Sequence, residues 1–343
     1  MRSQLSKRLA IVAAIAVAGY SAHTNAQAQT DAKATGVMTA MKKALGGEQK
    51  LANVKTLSLR ADYRREMTAG PGGGGGGTMF MMRGPGGGSG AADGGAQMTG
   101  KIEIDLELPD KYLRSDIGSS GFAMTRTEGF DGTRPFIEVV PNSPGMMQIR
   151  LDNPANDPEM AKRSLRRNQA DAARLLLGLI GSTQPGFDVS YSYGGQAESP
   201  DGKADIIDVS GAEGFKARLF VDTESHLPLM LTYMDAEPRV VMSTFNRGAG
   251  PGEGRGRGQV VTTPAELTPE QRAELDKQRR AAEAEPATMV EHRLYFSDYR
   301  KIDGVSLPHQ ISRGTGSKTT EEWTVTSYKV NPSFKADRFK VGS

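Results

Sequence analysis

The sequence predicts a mainly β protein, an antiparallel sheet of about a dozen strands with a few covering helices. Three observations point there. Long stretches alternate strictly between apolar and polar residues, the period of a sheet with one dry face. Turn dipeptides punctuate the chain at short intervals. One helical segment ends in a leucine-rich run that is apolar enough to cover such a face.

Taken in order, the N-terminus carries Arg2, Lys7 and Arg8, the apolar run Leu9 to Gly19, and then Asn25-Ala26-Gln27-Ala28. That order is a basic region, a short apolar core and an A-x-A cleavage site, so residues 1–28 read as a secretion signal cleaved after Ala28. The run is too short to span a bilayer, which needs about 18 apolar residues. The chain contains 343 residues and no cysteine, which excludes a lipobox, a disulfide framework and thiolate metal ligands. The expectation is a periplasmic protein. With 43 basic and 40 acidic residues, the chain becomes neutral once the three signal-region cations are removed. Such a balance gives no electrostatic footprint for nucleic acid.

Residues 29–343 read as one domain with two inserts. Gly70 to Gly100 is nearly half glycine and holds Thr78-Met79-Phe80-Met81-Met82; too little apolar surface is available there to offset chain entropy. The thioethers are soft ligands that suit Cu(I), but no histidine or cysteine accompanies them, so no metal site is assigned. The second insert, 247–286, starts with Gly-Arg alternation. It continues at Thr268-Pro269-Glu270-Gln271, a capping box with proline at the first helical position, into a charged helix that ends near Pro286.

Two further helices are expected, Asp31 to Leu45 and Asp157 to Ile180, the latter closing on Leu175, Leu176, Leu177, Leu179 and Ile180. Strands are expected at Val54–Glu66, Lys101–Leu108, Tyr112–Ile117, Phe122–Glu128, Pro135–Val140, Phe187–Tyr193, Ala204–Ser210 and Lys216–Val221. Others fall at Leu229–Met234, Val240–Phe245, Met289–Tyr299, Val305–Arg313 and Glu321–Tyr328. Asp131-Gly132 and Asp303-Gly304 are hairpin dipeptides, suited to two-residue turns with positive φ.

No catalytic constellation emerges, and the chain is read as a non-enzyme. His226, His292 and His309 each stand alone, and Glu291-His292 lacks a second histidine four residues on. Gly118-Ser119-Ser120-Gly121 fails the spacing of a nucleophile elbow. The carboxylates are expected on exposed strand faces. No cofactor is implied.

A resemblance is carried by several turn-and-strand signatures. They are Lys43-Ala44-Leu45-Gly46-Gly47-Glu48, Pro109-Asp110-Lys111-Tyr112-Leu113-Arg114, Gly129-Phe130-Asp131-Gly132, Leu219 to Leu229, Tyr299 to Pro308, and Trp323 to Pro332. Their order resembles the LolA/LolB-like superfamily of periplasmic outer-membrane lipoprotein carriers, over most of Lys43 to Phe339 apart from the inserts. The resemblance implies an unclosed antiparallel β-barrel, a curved sheet of about 11–12 strands covered by helices. It also implies an apolar inner face holding acyl chains of a lipid or lipidated protein, and peripheral contact with membranes. The residues expected to line that site are Leu57, Leu59, Tyr63, Ile104, Leu106, Leu176, Leu179, Leu219, Leu231 and Val325. In such carriers an arginine on an early strand tethers the lid; Arg60, Arg64 and Arg65 are the candidates here. Two other functions fit the same fold: an envelope-stress sensor or regulator binding a protein partner through the inserts, and a structural envelope protein with a filled core.

Overall fold

The computed structural model describes residues 32–66, 97–119, 124–142, 157–200, 202–236 and 288–340, together with Glu270, Ala273 and Lys277, which are helical. The expected signal, the strand at Val240–Phe245 and most of both inserts lie outside the described residues.

Twelve strands form one sheet in the order β5-β4-β3-β2-β1-β12-β11-β10-β9-β8-β7-β6, every neighbouring pair antiparallel. They are β1 (Thr56–Glu66), β2 (Gln97–Glu107), β3 (Lys111–Gly118), β4 (Met124–Asp131), β5 (Arg134–Pro141), β6 (Val189–Ser199), β7 (Gly202–Gly211), β8 (Lys216–Asp222), β9 (Pro228–Ala236), β10 (Met289–Ile302), β11 (Val305–Thr315) and β12 (Lys318–Val330). The sheet is not closed: β5 and β6 are its two edges. The chain therefore meanders outward from the centre to β5, jumps to the far edge at β6, and meanders back until β12 pairs with β1. Most expected and observed strands agree to within a few residues, with two corrections: β6 runs six residues beyond the expected end at Tyr193, to Ser199, and β2 starts early. β2 begins at Gln97, inside the segment assigned to the glycine-rich insert, and pairs Gln97 with Glu66. Gly100 is needed there for close approach, since a Cβ would lie 2.2 Å from the Ile117 carbonyl oxygen and 2.6 Å from Cε1 of Tyr63.

The jump from β5 to β6 is made by α3 (Pro158–Ile180). Its 23 residues rise about 1.5 Å each, enough to reach roughly 35 Å across the sheet. Asp157 caps it by accepting hydrogen bonds from the Glu159 and Met160 amides, Pro158 occupies the first turn, and Gly181 in the left-handed conformation ends it. α3 packs on β3, β4, β5, β8, β9 and β11. α1 (Ala32–Leu45) lies on the same side and buries Ala34, Met38, Met41 and Leu45, a stripe at helical spacing. A short α2 (Glu48–Ala52), not expected from sequence, follows the glycine pair.

The face under α1 and α3 is the inner face, and it holds one continuous core. The outer face has two small clusters, one of Ala204, Ile206, Phe220 and Met230, and one in which Phe339 and Phe334 of the C-terminal segment fold back onto Leu113 and Phe136. Arg338 secures that segment by hydrogen-bonding Asp105 at 2.6 Å. At the hairpins, Asp303 (φ 51°) and Gly304 (φ 83°) form the expected two-residue turn. In the other, Asp131 pairs with Arg134, and Gly132 takes positive φ while Asp131 stays in the strand.

Candidate functional site

Strand register decides which side chains share the inner face. On β1 these are Leu57, Leu59, Ala61, Tyr63 and Arg65; their partners on β2 are Leu106, Ile104, Ile102, Gly100 and Met98. From β12 come Val325, Trp323 and Glu321, facing Ala61, Tyr63 and Arg65. Ile311 and Arg313 of β11 lie opposite Trp323 and Glu321, while Phe296, Leu294 and His292 of β10 continue the rows. Beyond them stand Leu231, Tyr233 and Asp235 of β9. On the other wing, Tyr112, Arg114 and Asp116 of β3 meet Phe130, Glu128 and Arg126 of β4. On β1, β3, β4, β9, β11 and β12 the inner-facing residues thus run from aliphatic or aromatic to charged in the same direction across the sheet, while β2 ends on Gly100 and Met98 and β10 on His292. The inner face is amphipathic along its strands, apolar at one end and ionic at the other.

All the residues expected to line an acyl-chain site fall on the apolar side of this gradient or on α3. Leu57, Leu59, Tyr63, Ile104, Leu106, Leu176, Leu179, Leu219, Leu231 and Val325 are each 4 % exposed or less and belong to the same core. The structure brings them together, and it also fills the space between them. Leucines of α3 occupy it, and Gly178 lies so flat on β10 that a Cβ would come within 2.1 Å of the Phe296 ring. Among the described residues, the cavity that stands out lies elsewhere. It measures about 200 Å³, is polar, and sits at the strand ends between Arg64, Glu66, Gln97, Thr319, Thr320, Glu321 and Glu322.

The three arginines expected as a lid latch divide between the faces, and among the described residues none of their hydrogen bonds reaches a helix. Arg60 is on the outer face, bonded to Asp105 at 2.8 and 3.1 Å. Arg64 is also on the outer face, paired with Glu322. Arg65 is at the ionic end of the inner face, bonded to Glu321 at 2.9 Å. The groups that do tie α3 to the sheet escaped sequence reading. Asn168, 2 % exposed, donates from Nδ2 to the Gly129 carbonyl at 3.0 Å. Arg167 reaches Glu128 at 3.3 Å. Arg174 lies 3.7 Å from the Tyr233 ring centre and 3.7 Å from an Asp235 oxygen. Arg166 pairs with Glu213 in the turn before β8.

The expectation that carboxylates sit on exposed strand faces needs correction. Asp105 (0 %) and Glu321 (6 %) are buried. Alternation marks a position as facing away from the aliphatic stripe, but it cannot mark a salt bridge that lets a charge be buried. Arg114 grips Asp116 with two hydrogen bonds of 2.9 and 3.1 Å and approaches Glu321 at 3.5 Å. Trp323 donates its indole N–H to Glu321. Burial alone raises the Asp116 pKa, but the charge and hydrogen bonds of Arg114, aided by Arg65 and Arg313, outweigh it and hold the carboxyl below its ordinary value. Asp105 behaves alike: desolvation pulls it up, and hydrogen bonds from Arg60 and Ser58 bring it below the usual range. Burial raises Tyr112 well above an ordinary phenol. It lowers His292, which stacks on Tyr233 at 5.2 Å.

Chemically, this arrangement offers arginines, indole and phenol rings beside aliphatic surface. Among the described residues no group of three or more histidines and carboxylates is placed to hold a metal ion. No described helix is long and apolar enough to cross a membrane.

No known family profile matches the chain, and no curated protein does. Among solved structures, it is similar to a LolA superfamily protein from Nitrosomonas europaea at 10 % identity and a TM-score of 0.42, covering 91 % of this chain and 98 % of that one. A DUF1329 family protein from Desulfovibrio piger gives 9 % and 0.43, over 91 % and 98 %. A domain described as an outer-membrane lipoprotein-sorting protein, from Vibrio parahaemolyticus, gives 8 % and 0.39, over 88 % and 94 %. This chain's own strand order is that of an open antiparallel sheet with helices packed on its inner face.

Proposed function

We propose that this chain is an exported binding or carrier protein for acyl-chain cargo, the tail of a lipid or of a lipidated protein, held on the inner face beneath α3. The observation that supports this reading is the polarity gradient along the inner-facing residues of β1, β3, β4, β9, β11 and β12. A packed core has no need to be aliphatic at one end and ionic at the other, whereas an amphiphile has that shape. In this arrangement the leucines of α3 occupy the tail position, and cargo enters as α3 moves aside. Each buried methylene contributes about 0.8 kcal/mol, so a tail that replaced the helix contacts would bind usefully without special chemistry. The polar ties of α3, at Asn168, Arg167 and Arg174, are groups that water can satisfy when the cover opens.

The test is to express the chain with its own leader, purify it without detergent, and combine native mass spectrometry with lipid extraction. A stoichiometric acyl-chain adduct, or one formed on adding phospholipid or lipopeptide, is the expected result. A bare protein mass that takes up neither would overturn the proposal and leave the filled core as a purely structural feature.

A further inference from the structure

Beneath α3, the ionic end of the inner face contains guanidinium groups with N–H donors that its carboxylates leave unused. Among the described residues, the buried side-chain atoms with no hydrogen-bond partner are Nε of Arg126, Arg174 and Arg313, together with Oε1 of Gln184. Arg174 is 7 % exposed on α3. Its Nη1 bonds Asp171 at 3.1 Å and lies 3.7 Å from Asp235, leaving Nε without an acceptor. Arg313 of β11 makes no ion pair among the described residues; its guanidinium rests 5.2 Å from the centre of the Trp323 ring. Register places the two cations over one patch of the inner face: Arg174 lies on the ring of Tyr233, Tyr233 pairs with His292 of β10, and Arg313 pairs with Leu294, two residues along the same strand. Donors from α3 and from β11 thus stand near the charged end of the inner face.

A guanidinium N–H buried without an acceptor is costly, and an oxyanion is the acceptor it fits best. We infer that the cargo is an anionic amphiphile whose phosphate or carboxylate head group binds between Arg313 and Arg174, with its tail toward Leu59, Ile104 and Leu231. This rests on the carrier reading and narrows it: the head group specifies the cargo and draws α3 back onto the sheet.

The experiment compares two ligands sharing a palmitoyl chain and glycerol, lysophosphatidic acid and monopalmitoylglycerol, below their micellar concentrations. Inorganic phosphate is a third arm. Binding is read by calorimetry and by the fluorescence of Trp323, the chain's single tryptophan. Lysophosphatidic acid is expected to bind about tenfold more tightly than the neutral lipid, equivalent to ~1.4 kcal/mol. Arg313→Gln, which breaks no ion pair, is expected to erase that preference while leaving monopalmitoylglycerol binding intact, and Arg174→Gln serves as a second variant. Equal affinity for both lipids overturns the inference and leaves the carrier reading standing. Inorganic phosphate binding as tightly as lysophosphatidic acid also overturns it, since the site is then one for a free anion. Failure of all three to bind overturns the carrier reading itself.

Discussion

Gly178→Ala adds one methyl group where α3 lies flattest on the sheet. An ideal Cβ there stands 2.1 Å from Cζ of Phe296, and 2.5 and 2.6 Å from two further ring carbons. Carbon atoms pack at roughly 3.5–4.0 Å, so the helix or the ring must yield by more than about 1 Å. Phe296 is 2 % exposed and packed into the main core, so the ring has little room to turn. Overpacking of this kind costs about 1–3 kcal/mol. Against that, alanine in a helix interior gains about 1 kcal/mol over glycine. The contact lies at the close end of the range, so a net loss of about 1–2 kcal/mol is expected in urea unfolding followed by circular dichroism. Combining the change with Phe296→Leu removes the collision, and the cycle should reveal a favourable coupling on the order of 1 kcal/mol or more. Because the strain falls between α3 and the sheet, the single variant should also take up a fluorescent fatty acid faster than the parent. A Gly178→Ala protein more stable than the parent by about 1 kcal/mol would refute the reasoning, since helix propensity would then act with no opposing contact.

Other consequences concern how α3 is held and how the inner face responds to pH. Asp157→Ala removes the two amide bonds of the N-cap and should cost about 1 kcal/mol of thermal or denaturant stability; an unchanged midpoint would mean that the first turn contributes nothing. Asn168→Ala leaves the Gly129 carbonyl without its donor and should destabilise by about 1–3 kcal/mol, while Asn168→Asp, which offers no amide donor, should fare no better. His292 is depressed, by burial first, below the ordinary 6.5. The unfolded chain therefore binds its proton more readily, and stability should fall as pH drops from about 6.5 through the lower folded value, then level off. His292→Gln should flatten that slope between those limits. At lower pH the depressed carboxyls of Asp105 and Asp116 stabilise the fold while ionised, and that stabilisation is lost as pH falls through their folded values.

The sheet was legible because its rule is local. Leu57, Leu59 and Ala61 alternate with Ser58, Arg60 and Asp62, and the structure sends the two sets to opposite faces. The leucine-rich end of α3 likewise announced its burial. Three things were not legible, each for a physical reason. Strand ends with glycine looked like loops: β2 starts in a glycine-rich stretch, and β6 runs through a bulge at Gly195. Buried charge looks like exposed charge, because Glu321 owes its burial to Arg65 and Arg114 on other strands, far away in sequence, and Asp116 is held by Arg65 as well as by its strand neighbour Arg114. The tether of α3 is a set of interactions between elements, so Asn168 and Arg174 carried no pattern that set them apart from other polar helix residues. The early-strand arginines were named by position alone, and register sends Arg60 and Arg64 to the outer face and Arg65 to the inner face.

The central claim is that α3 is a cover that must move for cargo to reach the inner face. The chain has no cysteine, so Arg167→Cys with Glu128→Cys gives a unique pair where the side chains now meet at 3.3 Å. Joining the pair with a short, reductant-cleavable bis-maleimide pins α3 to β4, and uptake of a fluorescent acyl probe is then measured before and after cleavage. The account predicts that uptake is lost while the linker is intact and returns when it is cut. Undiminished uptake with α3 pinned would contradict it, because the acyl chain would then be bound somewhere other than beneath this helix.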